Sequence, residues 1–108
     1  MKSKSYAAIA LAGTLTLCGV ARAESAQGLA LAQQENCMSC HSVSRQFMGP
    51  SLHDVAAKYA SRGDAEHYLT HKIMEGSAGV WGPVPMPANT QVTPDEAASL
   101  ASWILSLK

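Results

Sequence analysis

The sequence predicts an all-α fold with about four short helices, and three observations support this prediction. Residues 93–96 read Thr-Pro-Asp-Glu, a strong helix start, and an apolar stripe follows them. Three further segments combine helix-forming residues with capping or terminating residues. No segment alternates apolar and polar residues in the way that a half-buried strand does. We therefore expect helices packed on one another and no β-sheet.

Residues 1–23 have the pattern of a secretory signal peptide. Lys2 and Lys4 give a basic start. Residues 6–17 are apolar but too few for the ~20 residues of a membrane-spanning helix. An Ala-Arg-Ala cleavage site ends at Ala23. We expect cleavage after Ala23, which leaves residues 24–108 as a single exported domain without stable membrane insertion.

The mature chain would hold five basic residues and eight carboxylates, a net charge of −3. This balance gives no basic surface for nucleic acid.

The two cysteines of the mature chain, Cys37 and Cys40, both belong to one motif, and Cys18 lies in the signal segment. Cys18 follows the bulky Leu17, so its lipidation is the less favoured alternative. A domain this small has a thin core and is expected to need a cofactor, a metal or a disulfide for stability.

The first predicted helix runs from Ser25 to Asn36, where most residues are good helix formers. Gly28 and Ala32 lie four residues apart on one face, so a second helix could approach closely there. A second helix is predicted from Leu52 to Ala60, with Ser51 as its N-cap. These two segments account for the first half of the domain.

The third predicted helix runs from Ala65 to about Glu75, with Asp64 as its cap and Gly76 as its stop. His67 and His71 share one face of this helix. Such a pair would suit a metal ion, but two solvated histidines are the favoured interpretation.

The fourth predicted helix begins at Pro94 and ends at about Leu107. Thr93 is its N-cap and Glu96 completes a capping box. We expect its apolar stripe to pack across the first helix near Gly28 and Ala32.

Residues 37–41 read Cys-Met-Ser-Cys-His, the C-x-x-C-H pattern of a c-type haem attachment site. The thiols of Cys37 and Cys40 can add across the two vinyl groups of one porphyrin, which places His41 as the proximal iron ligand. A zinc site is disfavoured because 26 residues separate Cys40 from His67, against about 12–15 in a finger. A redox dithiol would need a βαβ context. We predict one covalently bound haem c.

The second axial ligand is predicted to be Met86. It lies in a long loop, residues 76–91, where Pro85 and Pro87 restrict its backbone to an extended form. Long loops in small domains are usually functional. A histidine ligand and an open coordination site are the alternatives. The other candidates considered were Met38, Met48, Met74, His53, His67 and His71.

Ligation by His41 and Met86 would define the chemistry. A thioether favours ferrous iron and raises the reduction potential, and two protein ligands leave no position for substrate. The sequence thus predicts a one-electron carrier and not an enzyme. The alternative function is a gas sensor or enzyme with an open haem site. Pro50 is a candidate acceptor for the free ring N–H of His41, although a plain turn would also explain it.

Four segments together resemble the small class I cytochromes c of proteobacteria, of the cytochrome c-551/c-552 (c8) type. They are residues 37–41, residues 49–51 (Gly-Pro-Ser), residues 54–58 (Asp-Val-Ala-Ala-Lys) and residues 79–87 (Gly-Val-Trp-Gly-Pro-Val-Pro-Met-Pro). The resemblance covers essentially the whole mature chain. It implies the cytochrome c fold, with about four short helices around one haem, in a monomeric periplasmic electron carrier.

The resemblance also implies roles for individual residues. The carbonyl of Pro50 would accept the histidine N–H, and Asn89 would hydrogen-bond near the methionine sulfur. Trp81 would bond a haem propionate, which Lys72 could also approach. The implied partners are a quinol-oxidising complex as donor and a nitrite reductase, terminal oxidase or peroxidase as acceptor.

One departure from the family concerns charge. Relatives often carry several lysines around the exposed haem edge, whereas the mature chain has only Lys58, Lys72 and Lys108. We therefore expect docking through an apolar ring around the haem edge, with weak dependence on salt.

Overall fold

The computed structural model describes residues 8–10, 12–13 and 18–107. Most of the predicted signal peptide and the side chain of Cys18 lie outside the described residues. Those described form four α-helices: α1 (Cys18–Gln34), α2 (Leu52–Tyr59), α3 (Ala65–Glu75) and α4 (Pro94–Ser106). A short 3₁₀ turn, Cys37–Ser39, follows α1. None of these helices combines the length and the apolarity that crossing a membrane requires.

Helix α1 is longer at its start than the sequence predicted. It begins at Cys18 instead of Ser25 and runs through the expected cleavage point after Ala23. Residues 21–24, Ala-Arg-Ala-Glu, are strong helix formers, which explains the turn next to the predicted start. The side chains of residues 22–27 are all exposed, so this part of the helix adds no packing. The helix ends before Asn36, whose φ of 64° is left-handed and stops further helical bonds.

Helices α2 and α3 lie where the sequence placed them, with Ser51 and Asp64 as their N-cap residues, but only Ser51 caps through its side chain. The Ser51 side chain accepts a hydrogen bond from the Asp54 N–H at 3.1 Å, as expected of an N-cap. The Asp64 side chain makes no capping bond to α3. Its carboxylate instead pairs with the Arg62 guanidinium. A bidentate charged partner two residues away competes successfully with the backbone N–H groups.

Helix α4 begins with the predicted capping box. The Glu96 N–H donates to the Thr93 hydroxyl at 3.2 Å, and the Thr93 N–H donates to the Glu96 carboxylate at 2.9 Å. The helix ends at Ser106, one residue before the predicted end. Both boundaries follow from local sequence, because a cap involves only neighbouring residues.

The core is assembled around α4, which contacts α1, α2 and α3. Leu100 is the largest side chain that is fully buried, and Ala97 and Ala101 beside it are shielded completely. Two alanines in this position let the neighbouring helices approach closely. The packing of α4 therefore fixes how the other three helices are arranged.

Helices α1 and α4 cross at Gly28, as the sequence predicted. A Cβ atom on Gly28 would overlap the ring of Trp103, which is itself buried. Ala32, one turn further along α1, is also buried in this core. The small residues of α1 thus form the surface against which the large indole of α4 packs.

Replacing Gly28 with alanine tests this crossing. Overpacking typically costs about 1–3 kcal/mol, and alanine recovers about 1 kcal/mol at most in helix propensity. We expect a net loss of about 1–2 kcal/mol in the free energy of unfolding, measured by denaturant titration. The matched control is Gly63→Ala, because a Cβ there meets nothing within 4 Å. Equal stability of the two variants would contradict the close crossing.

Candidate haem site

A cavity of about 300 Å³ lies between the 3₁₀ turn, α2, α3, α4 and the loop of residues 76–91. This volume is at the lower end of the range for cofactor sites, about 300–1,000 Å³. Seven of the eight predicted site residues line it, and Asn89 does not. The seven are Cys37, Cys40, His41, Pro50, Lys72, Trp81 and Met86.

The two thiols are presented by the turn that follows α1. The N–H groups of Cys40 and His41 both donate to the Cys37 carbonyl, at 3.2 and 3.0 Å. This tight turn brings both cysteines and the histidine to one edge of the cavity. The two thiols are free and half-buried. Burial, reinforced by the nearby Glu35 carboxylate, raises the pKa of the Cys37 thiol above its ordinary value.

The geometry of the motif does not support a zinc knuckle. Among the residues that the structure describes, no group of three or more His, Cys, Asp or Glu side chains could hold a metal ion. His67 and His71 contact each other on α3, with ring centroids 4.5 Å apart. Both are exposed, in agreement with the prediction of solvated histidines.

The ring of His41 is held by the loop that follows it. Its Nδ1 lies 2.8 Å from the Pro50 carbonyl, which can only accept, so the N–H resides on Nδ1. Nε2 is left free as a ligand. The N–H of Gly49 donates to the Cys40 carbonyl at 2.9 Å. This bond folds the loop back towards the histidine. A Cβ on Gly49 would lie only 2.7 Å from the imidazole Cε1, so the backbone needs glycine there.

Met86 reaches the same cavity from the loop between α3 and α4. Its side chain is half-buried and packs against the core. Its N–H donates to the Ser77 carbonyl at 2.8 Å, and its carbonyl accepts from the Ser77 N–H at 3.0 Å. This reciprocal pair is an isolated antiparallel bridge. The segment is therefore extended, as expected of a residue between two prolines.

An aromatic and basic wall borders the cavity. The ring of Trp81 lies 6.4 Å from that of Tyr59, edge to face, and the Lys58 ammonium lies 5.3 Å from the Trp81 centroid. Lys72 Nζ lies 5.3 Å from the centroid of Tyr68. Trp81 is 39% exposed, so it forms part of the rim. This wall can meet an anionic group at the edge of a bound cofactor.

Asn89 occupies a different place from the rest of the predicted set. Its Nδ2 donates to the Ile73 carbonyl at 2.8 Å, and its own backbone N–H reaches the same oxygen at 3.2 Å. Ile73 belongs to the last turn of α3, where helix carbonyls lack intrahelical partners. Asn89 thus ties the end of the loop to α3.

Sequence reasoning missed three contacts that shape this site. Gly49 was noted only as part of the Gly-Pro-Ser segment, and the Ser77 pairing with Met86 had no sequence signal. The edge-to-face contact of Tyr59 with Trp81 was missed because it joins α2 to a distant loop. Only the Gly-Pro dipeptide at residues 49–50 hints at a special turn.

The residues present fit a covalently bound haem. Two thiols, an oriented imidazole and a thioether converge on a cavity whose remaining walls are mainly apolar. The Nε1 of Trp103 is buried beside this cavity and finds no hydrogen-bond partner among the described residues. An unpaired buried donor of this kind is costly unless another group reaches it. Fold and site together define a c-type haem protein.

The chain belongs to the cytochrome c family: the sequence model of that family, Cytochrome c, matches residues 25–108. The family attaches one haem c through a C-x-x-C-H motif, which here supplies Cys37 and Cys40. The predicted class, a small class I c-type cytochrome with an all-α fold, is confirmed. So is the prediction of an electron-transfer protein and not an enzyme.

Similar proteins carry cytochrome c-551 and c-552 names. Cytochrome c-552 of Nitrosomonas europaea is 47% identical over 97 residues, covering 90% of both chains. Cytochrome c-551 of Pseudomonas aeruginosa is 44% identical over 106 residues, covering 97% of this chain and 99% of that one. The crystal structure of the Nitrosomonas europaea cytochrome c552 matches with a TM-score of 0.73 and 51% identity, over 74% of this chain and 99% of that chain.

Removing both thiols tests how far the fold depends on the cofactor. In the double variant Cys37→Ala, Cys40→Ala we expect loss of covalent haem and of most helicity, because a chain this small cannot fill the cavity with its own side chains. Far-UV circular dichroism and a pyridine haemochrome assay measure the two losses. Ser39→Ala is the matched control, since it keeps the C-x-x-C-H spacing. Native-like helicity in the haem-free double variant would contradict the expectation.

Proposed function

We propose that this cytochrome carries single electrons in a periplasmic respiratory chain, with His41 and Met86 as the two axial ligands of its haem. The observation that carries the proposal is the convergence of Cys37, Cys40, His41 and Met86 on one cavity. When bound, the haem supplies a one-electron redox centre whose potential Met/His ligation raises.

The chain holds its two proposed ligands on two segments that are far apart in the sequence. The Pro50 carbonyl keeps His41 in the Nδ1–H tautomer and leaves Nε2 for the iron. The Ser77 backbone holds the Met86 segment extended against α3. With both positions supplied by protein, no site remains for oxygen or substrate. The arrangement favours electron transfer because the coordination can stay the same in both oxidation states.

The rim residues are proposed to meet the haem propionates. Trp81 would donate through its indole N–H and Lys72 through its ammonium group, and both line the cavity. Lys58 adds positive charge beside the Trp81 ring. Asn89 is proposed to act near the Met86 sulfur. Its Nδ2 carries two hydrogens, and only one is used by the Ile73 carbonyl.

Export to the periplasm is proposed from the first 23 residues. Their basic start, apolar stretch and Ala-Arg-Ala end support a cleaved signal peptide. The match to the cytochrome c family begins at residue 25, two residues after the proposed cleavage point. The side chains of residues 22–27 are exposed and make no core contacts, so their loss or fraying would leave the domain intact.

The proposed partners are a quinol-oxidising complex as donor and a nitrite reductase, terminal oxidase or peroxidase as acceptor. A monomer would meet them through apolar residues around the cavity mouth. Met48 and Val84 are 57% and 55% exposed, and Val80 and Trp81 are 42% and 39% exposed. All four line the cavity, so a partner seated on them would lie close to the haem edge.

Substitution of Met86 tests the ligation. In the Met86→Ala variant we expect loss of the weak far-red absorption of ferric haem–thioether coordination, because the sixth position loses its sulfur. The ferrous variant should also bind carbon monoxide at neutral pH. Met74→Ala is the control, because Met74 packs in the core without lining the cavity. Retention of the far-red band in Met86→Ala, or ready carbon monoxide binding by the unmodified protein, would overturn the assignment.

Ionic strength tests the mode of docking. Between about 0.01 and 0.15 M ionic strength the Debye length falls from about 30 to about 8 Å. We expect the rate of electron transfer to a nitrite reductase, measured by stopped flow, to change less than about threefold over this range. A steep fall would indicate charge steering instead. Val84→Ser should slow the reaction, and Ala57→Ser, on the exposed side of α2, is the matched control.

A further inference from the structure

The end of α3 and the segment that carries Met86 are joined by hydrogen bonds at the methionine itself and three residues after it. Ser77 pairs reciprocally with Met86, at 2.8 and 3.0 Å. Three residues later, the backbone and side chain of Asn89 both donate to the Ile73 carbonyl. We call these two attachments, together with Gly76, the α3 clamp.

Met86 has few other means of being held by its backbone. Pro85 and Pro87 on either side of it have no N–H. The Met86 N–H is therefore the only backbone donor of this tripeptide, and Ser77 accepts it. Between the two ends of the bridge, residues 78–85 form a loop that is exposed throughout. Without the bridge this loop would leave the methionine free to move.

Gly76 is the residue that brings the two segments together. It follows α3 with φ 85° and ψ 177°, a backbone conformation that residues other than glycine rarely adopt. Its N–H still caps α3 by donating to the Lys72 carbonyl at 2.9 Å. A Cβ at Gly76 would lie 2.6 Å from the Met86 carbonyl oxygen and 3.0 Å from the Ala88 nitrogen. Both are backbone atoms, so they cannot rotate away as a side chain would.

We propose that Gly76 and Ser77 are positioning residues for the Met86 thioether, and that the α3 clamp sets how firmly the sulfur holds the sixth coordination position. The inference rests on the proposed ligation by Met86. A soft, neutral thioether binds iron more weakly than an imidazole, so its occupancy depends on how well the chain places it in advance. The clamp supplies that placement through backbone contacts and the Asn89 side chain.

The strength of the clamp determines how often the sixth position is open. An external ligand binds only the open fraction, so its apparent affinity rises in proportion to that fraction. Any change that pushes the Met86 backbone away from α3 by several tenths of an ångström increases the open fraction. Imidazole binding to the ferric protein therefore measures the clamp directly, without an electron-transfer assay.

The test is the Gly76→Ala variant of the haem-loaded protein. We expect a weaker ferric haem–thioether band, imidazole affinity increased about tenfold or more, and a lower reduction potential. Gly79→Ala is the matched control for backbone conformation, because Gly79 has a similar φ of 81° but a Cβ there meets nothing within 4 Å. Gly63→Ala controls for the substitution itself. Imidazole affinity should change less in Gly79→Ala than in Gly76→Ala, and not at all in Gly63→Ala.

A second measurement needs no variant. Because the Met86 N–H donates to Ser77, its hydrogen exchange in the unmodified protein should be slow compared with that of the exposed Val84 N–H. Exchange of Met86 as fast as that of Val84 would overturn the clamp. So would Gly76→Ala with an unchanged band and imidazole affinity.

The outcomes also separate this inference from the proposed function. If Met86→Ala removes the far-red band while Gly76→Ala behaves like Gly79→Ala, the ligation is upheld and the clamp is rejected. If Met86→Ala leaves the band unchanged, the ligation is rejected, and with it the proposal that the α3 clamp positions a ligand.

Discussion

The structure depends on one constraint: the centre of the domain is a cavity that the chain's own side chains do not fill. The core residues around α4, with Leu100 at their middle, form one side of this cavity. In a larger protein the same helices would close on one another. Here the haem of the cytochrome c family takes the central place, so the cofactor is part of the core. Attachment through Cys37 and Cys40 is therefore expected to serve folding as well as redox chemistry.

The two proposed iron ligands are placed in similar ways although they come from different parts of the chain. His41 is oriented by the Pro50 carbonyl, and Met86 is paired with the Ser77 backbone. In each case an adjacent glycine allows the close approach: a Cβ at Gly49 would meet the imidazole, and one at Gly76 would meet the Met86 carbonyl. Both ligands are thus held by the main chain.

The surface follows from the same arrangement. The loop that carries Met86 also brings Val80, Trp81 and Val84 to the rim of the cavity, where they stay exposed. Two lysines near this rim lie on aromatic rings, Lys58 on Trp81 and Lys72 on Tyr68. The proposed ligand Met86 and most of the proposed apolar docking surface therefore belong to one segment.

The sequence by itself determined the helices and the attachment motif. Helix periodicity, the capping box of Thr93 and Glu96, and the C-x-x-C-H spacing each involve residues close along the chain, so local rules are sufficient. The predicted crossing at Gly28 also held, because a small-residue face is visible in sequence.

Only the tertiary structure decided what distant residues do to one another. It tied Asn89 to Ile73, 16 residues earlier, paired Ser77 with Met86, and set the ring of Tyr59 against that of Trp81. Such contacts depend on where the folded chain brings two segments together, and no single stretch of residues encodes that.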